Sequence, residues 1–220
     1  MRQELGIVLF GDVTRSRRDA ARTARRLRVL AAELDEAYGE ERIARFGFTQ
    51  GDELQGLLAT TADPFRAVLA AALDEAGLPL RWAIAAGPID RGRGPATQRT
   101  GPAFLAAREA LGRARTGRLG LVVVTGDPST DAILADTAPL LAVLLGELTD
   151  RQREIARLVL LEGLRQADVA ARLGVRRPTI SVAVERARIR EIAGLARALR
   201  ALLAEGIERR TAAAARTGAA

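Results

Sequence analysis

The chain predicts an α/β (α+β) fold, a ferredoxin-like or palm sheet domain followed by an all-α helix-turn-helix domain. Three observations carry this. Short apolar runs alternate with amphipathic stretches in the order β, α, β, β, α, β, α, β up to Val124. From Leu148 onward the strand pattern stops, and helical periodicity is broken by a single tight turn at Gly174. Charge divides at the same place: Met1 to Thr149 carries 19 Arg against 19 acids, whereas Asp150 to Ala220 carries 15 Arg against 8 acids.

Taken in order, Leu5 to Phe10 is a short apolar run ended by Gly11-Asp12, a strand. Ser16 is read as the N-cap of a helix extending to about Tyr38. Arg45 to Phe48 and Leu54 to Leu58 flank Gln50-Gly51-Asp52 and form a hairpin. Pro64 opens a second helix ending near Gly77, and Leu80 to Ala86 is the next strand, in which Trp82 alternates with Leu80 and Ile84 as a core residue. A Gly/Pro/Arg loop to Thr100 leads into a helix from Pro102 to Ala114, then a strand over Leu119 to Val124. A central hairpin flanked by strand-helix units predicts a sheet with helices on one face. The domain boundaries expected are a palm over 1–127, a connecting helix over 128–147, a helix-turn-helix domain with a C-terminal helix over 148–208, and a flexible tail over 209–220. Ile192, Leu195, Leu199, Leu202 and Leu203 give that C-terminal helix an apolar stripe, suited either to packing on the palm or to pairing two protomers as a homodimer.

The chain has neither cysteine nor histidine, which removes disulfides, thiol catalysis, histidine acid–base chemistry and the usual zinc sites. Any metal must therefore use oxygen ligands, and Mg2+ is the natural candidate. The apolar run at the start is too short for a signal peptide, and no segment reaches roughly 18 uninterrupted apolar residues, so no membrane partner and a cytoplasmic location are expected. All 34 basic residues are Arg. Their excess is confined to the C-terminal third, and a basic surface so placed suits the phosphates of double-stranded DNA.

Ala170, Gly174 and Ile180 stand where a helix-turn-helix needs a small residue, a turn with positive φ and a core anchor. Val169, Leu173, Val175 and Val184 supply apolar contacts, with Ile155, Leu158 and Val159 on an earlier helix behind them. The second helix then faces outward with Arg176, Arg177, Thr179 and Ser181 in its opening turns and Arg186 further on, while Pro178 occupies a first-turn position. Such groups reach phosphates and base edges when the start of a recognition helix enters the major groove. The alternative is a three-helix packing unit with a solvated arginine face. Leu148, Thr149, Arg151, Gln152, Arg153, Glu154, then Val169, Ala170, Leu173 and Gly174 resemble the helix-turn-helix of LuxR-type regulators and region four of sigma factors, which implies DNA binding.

In the sheet domain, Asp12 ends the first strand and Asp52 lies at the hairpin turn, so adjacent strands could present both carboxylates to one Mg2+. Thr14, Arg15 and Ser16 lead into a helix N-terminus, where free N–H groups favour a phosphate, and Arg17 and Arg18 add charge. Each has a plainer reading: Gly-Asp is a common turn pair, Glu53 beside Asp52 can point to solvent, and Arg108 can be a solvated helix residue. GDVTRSR, QGDELQGLL, RWAIAAGPI and GPAFLAAREAL, in that order, are similar to the SatD family, and SatD proteins in turn resemble the palm of class III nucleotidyl cyclases. That resemblance implies Asp12 and Asp52 as metal ligands and Arg108 beside a nucleotide or other phosphorylated ligand. Gly101 to Arg108 departs from the cyclase pattern by shifting the Gly–Arg spacing and lacking the Asn that orients the ribose. The sequence therefore predicts a DNA-binding transcriptional regulator with a ligand-sensing palm. The alternatives are a Mg2+-dependent nucleotidyl cyclase or nucleotidyltransferase, and a silent palm that serves dimerisation.

Overall fold

The computed structural model describes residues 4–14, 20–49, 53–74 and 78–217. Five strands form one sheet in the order β2-β3-β1-β4-β5. The central strand β1 (Glu4–Val13) is antiparallel to β3 (Glu53–Leu58) on one side and to β4 (Leu80–Ile89) on the other. β2 (Arg42–Phe48) closes one edge against β3, and β5 (Leu121–Val124) lies parallel to β4 at the other. With α1 (Ala20–Tyr38) and α2 (Phe65–Ala72) in the connections, β1-α1-β2-β3-α2-β4 is the ferredoxin-like arrangement that the strand order predicts. α3 (Pro102–Thr116) then crosses from β4 to the added parallel strand β5.

The sheet is covered on both faces, not one. Ile7, Leu9, Trp82 and Ile84 pack with α1, α2 and α4 (Pro128–Gly146), whereas Val8, Phe10, Ala83 and Ala85 pack beneath α3. The reason lies in the strands: β1 is buried from Gly6 to Val13 and β3 along its whole length, so each face needs a cover. α3 provides the second cover with a stripe of small residues, Ala103, Ala107, Ala110 and Ala114, around Phe104 and Leu111. Trp82 is core as expected, and Gly11 opposite it leaves room for the ring, since a Cβ there would come within 3.1 Å of the indole.

The first-face core continues through Leu141, Leu145 and Leu148 into the helical domain, where Ile155, Leu158, Val169, Ile180 and Val184 close around it. This domain comprises α5 (Asp150–Leu160), α6 (Gln166–Arg172), α7 (Arg177–Arg186) and α8 (Ile189–Thr217). Thr149 caps α5 in a reciprocal capping box with Gln152. α4 is long and apolar enough to cross a membrane by length and composition, but it carries Asp131 and Asp136 and lays Leu134, Ala138, Leu141 and Leu145 in the core.

α8 corrects the expectation of a flexible tail from Arg209. It stays helical to Thr217 and packs back against α4 and the sheet. Two causes act together: Ala212 to Ala215 favour helix intrinsically, and Arg210 anchors the end by donating from Nη1 to the carbonyls of Ala86 and Thr125, both at 3.0 Å. Gly206 permits the approach, because a Cβ there would lie 2.5 Å from the Thr125 hydroxyl.

Candidate functional site

The turn between α6 and α7 is built by hydrogen bonds that end one helix and aim the next. Val175 N donates to Ala170 O at 3.0 Å and Gly174 N to Ala171 O at 3.3 Å, a Schellman ending with Gly174 at φ +64°. Ile180 and Val184 anchor α7 from beneath, and Pro178 sits in its first turn. The outward side of α7 then presents Arg176, Arg177, Thr179, Ser181 and Arg186, all exposed. None of these five side chains has a hydrogen-bond or ion-pair partner among the described residues.

The arginines of α5 and α6 are differently placed. Arg151 pairs with Glu154 at 2.6 Å, Arg153 with Asp150 at 2.7 Å, Arg165 with Asp168 at 2.9 Å and Arg172 with Glu162 at 2.7 Å. The hydrogen bond from Arg165 holds the Asp168 carboxyl below its ordinary range. Arginine is thus neutralised along α5 and α6 and left free at the start of α7. A helix N-terminus carrying unpaired guanidinium and hydroxyl groups can meet phosphate oxygens and base edges together.

A second constellation lies on the α3 face of the sheet. Strand register places Asp12 opposite Glu53 on β3 and opposite Arg81 on β4. Both carboxylates are buried, with residue exposures of 6%. α3 lowers two arginines onto them, seven residues apart and hence on one helix face. Arg115 grips Asp12 in a fork, Nε to Oδ2 at 3.0 Å and Nη2 to Oδ1 at 2.7 Å, and lies 3.7 Å from Glu53. Arg108 bonds Glu53 through Nη1 and stacks its guanidinium over Phe10, 4.5 Å from the ring centroid. Gln55 Nε2 donates to Glu53 Oε1 at 2.7 Å, and Arg81 stands 3.9 Å from Asp12.

Of the residues assigned to the sheet domain from sequence, Asp12 lies within a paired strand and not in a turn, and Glu53 points inward to Arg108. Asp52, Arg15 and Ser16 lie outside the described residues. Thr14 lines a cavity beside Trp82 that Arg108 does not line. Both Asp12 oxygens are engaged by Arg115, and a magnesium ion there would take that guanidinium's place. Among the described residues no group of three His, Cys, Asp or Glu side chains forms a metal cluster. Sequence reasoning missed Arg115, Arg81 and Gln55. The two-turn spacing of Arg108 and Arg115 was a readable signal, whereas the Asp12–Glu53–Arg81 row exists only in the strand register.

Residues 140–215 match the family described as KorA, the TrfB plasmid transcriptional repressor, a span from the end of α4 through most of α8. No curated protein matches the chain. A solved structure of a bacterial light-regulated adenylyl cyclase is similar at 14% identity and a TM-score of 0.43, over 56% of this chain and 77% of that one. A second structure described in the same terms gives 14% identity and a TM-score of 0.39, over 56% of this chain and 44% of that one. A regulator of polyketide synthase expression from Bifidobacterium adolescentis gives 16% identity and a TM-score of 0.28, over 96% of this chain and 82% of that one. The chain joins a palm-like sheet domain to a helix-turn-helix domain that resembles those of transcriptional regulators.

Proposed function

We propose that this protein is a cytoplasmic DNA-binding transcriptional regulator of SatD type, in which α7 reads the major groove and the palm senses a nucleotide or other phosphorylated ligand. The observation that carries the DNA reading is the contrast between helices: arginines on α5 and α6 are paired with acids, while Arg176, Arg177 and Arg186 at α7 have no acidic partner among the described residues. The match of residues 140–215 to a repressor family supports the same reading. Arg176 and Arg177 contact phosphate or guanine, Thr179 and Ser181 bond bases or phosphates beside them, and Arg186 takes a flanking phosphate.

In the palm, the support is a pair of buried carboxylates closed by two half-exposed arginines. A phosphorylated ligand offers Arg108 and Arg115 the oxygen acceptors they now find in Glu53 and Asp12. The carboxylate released from Arg115, with Asp52, would hold Mg2+ against the ligand's phosphates. Two copies of the chain on DNA would set two α7 helices on half-sites about one helical turn apart. Ile133, Leu140 and Val143, exposed on α4, offer apolar surface for such a homodimer.

The deciding experiment is duplex-DNA binding by fluorescence anisotropy across a salt series, using fragments selected by the protein from its own genome. Wild type is expected to bind with steep salt dependence. Arg176→Ala with Arg177→Ala is expected to lose binding while keeping its melting temperature, and unchanged affinity would sink the reading. Calorimetry with ATP or GTP and Mg2+, repeated on Asp12→Asn, tests the palm. No heat with either nucleotide, with or without the ion, removes the nucleotide assignment.

A further inference from the structure

A cavity of about 500 Å3 opens where the sheet domain meets the helical domain, on the Trp82 side of the sheet. Its volume falls within the range of about 300–1,000 Å3 usual for small-molecule sites. Its apolar lining includes Val68 of α2, Trp82 of β4 and Leu145 of α4. Arg118 after α3 and Arg153 of α5 also line it, as does Arg81 of β4, whose guanidinium is on the opposite face of the sheet beside Asp12. No acid stands among its described lining residues. Arg81 and Arg153 have acidic neighbours elsewhere, at 3.9 Å and 2.7 Å, whereas Arg118 has no partner among the described residues.

Arg118 supplies an independent observation. α3 ends in a Schellman turn, with Leu119 N donating to Ala114 O at 3.0 Å, and Arg118 occupies its left-handed position at φ +54°. That position favours glycine, which adopts it without a Cβ penalty, and the chain has glycine nearby at 117 and 120. An arginine held there is a side chain kept against backbone preference, and it lines this cavity.

We infer that this cavity binds a small amphipathic anion, a carboxylate or phosphate head on an apolar body, with the head on Arg118 beside Arg153 and the body against Trp82, Val68 and Leu145. The site meets the Asp12–Glu53 constellation only at Arg81 and does not depend on the DNA reading. Its position bears on regulation, because Leu145 ends the connecting helix and Arg153 begins the helical domain, so an occupant touches both sides of the joint.

Trp82 is the chain's single tryptophan and lines the cavity, so its emission reports occupancy directly. The probes are decanoate and decyl phosphate, with decanol as the neutral control, titrated into the full chain. The expected result is a saturable change in Trp82 emission with at least one anion and a response to decanol at least tenfold weaker. Arg118→Gly relieves the left-handed position, so it keeps the fold, with a melting temperature at or above wild type, and is expected to weaken anion binding at least tenfold. Arg176→Ala with Arg177→Ala is expected to leave the titration unchanged even though DNA binding is lost. Absence of a saturable response to both anions, an equal response to decanol, or full affinity in folded Arg118→Gly would each overturn the proposal.

Discussion

Two arginine clusters in this molecule use the same side chain to opposite ends. On α3, Arg108 and Arg115 close over two buried carboxylates, one in a two-bond fork and the other also stacked on Phe10. On α7, Arg176, Arg177 and Arg186 stand in solvent with no acidic partner among the described residues. The first cluster spends its charge inside the fold, where an unpaired carboxylate would be costly. The second leaves its charge unscreened by the protein, which suits a partner bearing phosphates. Whether an arginine belongs to structure or to recognition is thus decided by what shares its surface.

The largest test of this contrast is on α7. Removing Arg176 and Arg177 together is expected to weaken DNA binding on the order of a hundredfold, since each lost contact is worth about 1–3 kcal/mol. The slope of log affinity against log salt should also fall by about 2, one for each phosphate contact removed. Stability should stay within about 0.5 kcal/mol, as expected of exposed side chains without partners. The matched control, Arg151→Ala, removes an arginine already paired with Glu154 and should move the affinity several times less.

The α3 cluster should respond the other way. Arg115→Ala leaves Asp12 buried without its fork and is expected to destabilise the fold by about 1–3 kcal/mol, read from the urea midpoint, with DNA affinity of the folded protein unchanged. Asp12→Asn in that background should recover part of the loss, because it removes the stranded charge. Equal losses in Arg115→Ala and in the double variant would mean that Asp12 is solvated and that the two clusters differ less than their geometry indicates.

The end of α8 docks on the sheet domain. Gly206→Ala brings a Cβ to 2.5 Å from the Thr125 hydroxyl and is expected to cost about 1–3 kcal/mol, with faster amide exchange in the last turns of α8. A variant as stable as wild type would show that the end of α8 is not anchored there.

The smallest effect concerns an acid held by hydroxyls and not by arginine. Hydrogen bonds from Ser129 and Thr130 hold Asp127, the N-cap of α4, at about 2, below its usual 3.8. A depressed carboxyl contributes stability that is present above its unfolded value and lost as pH falls. Asp127→Ala should therefore destabilise at neutral pH and flatten the stability loss between about pH 4 and pH 2. Because its partners are mostly uncharged, that difference should vary little with salt. A strongly salt-dependent difference would assign Asp127 to Arg209 instead.

By itself the sequence determined the strand and helix order, the position of the α6–α7 turn, and the outward residues of α7. Each depends on local chemistry: period-2 and period-3.6 apolar patterns, a glycine at positive φ, a proline in a first turn. Tertiary structure alone decided that α3 covers the second face of the sheet, that Glu53 and Arg81 flank Asp12, and that α8 continues past Arg209 to dock on Ala86 and Thr125. These are relations between residues far apart in the chain, set by strand register and by which apolar face is left to cover. The same holds for the role of each arginine. With 34 of them in one chain, residue type and spacing mark where charge is, but only packing shows which charges the protein has already met with its own acids.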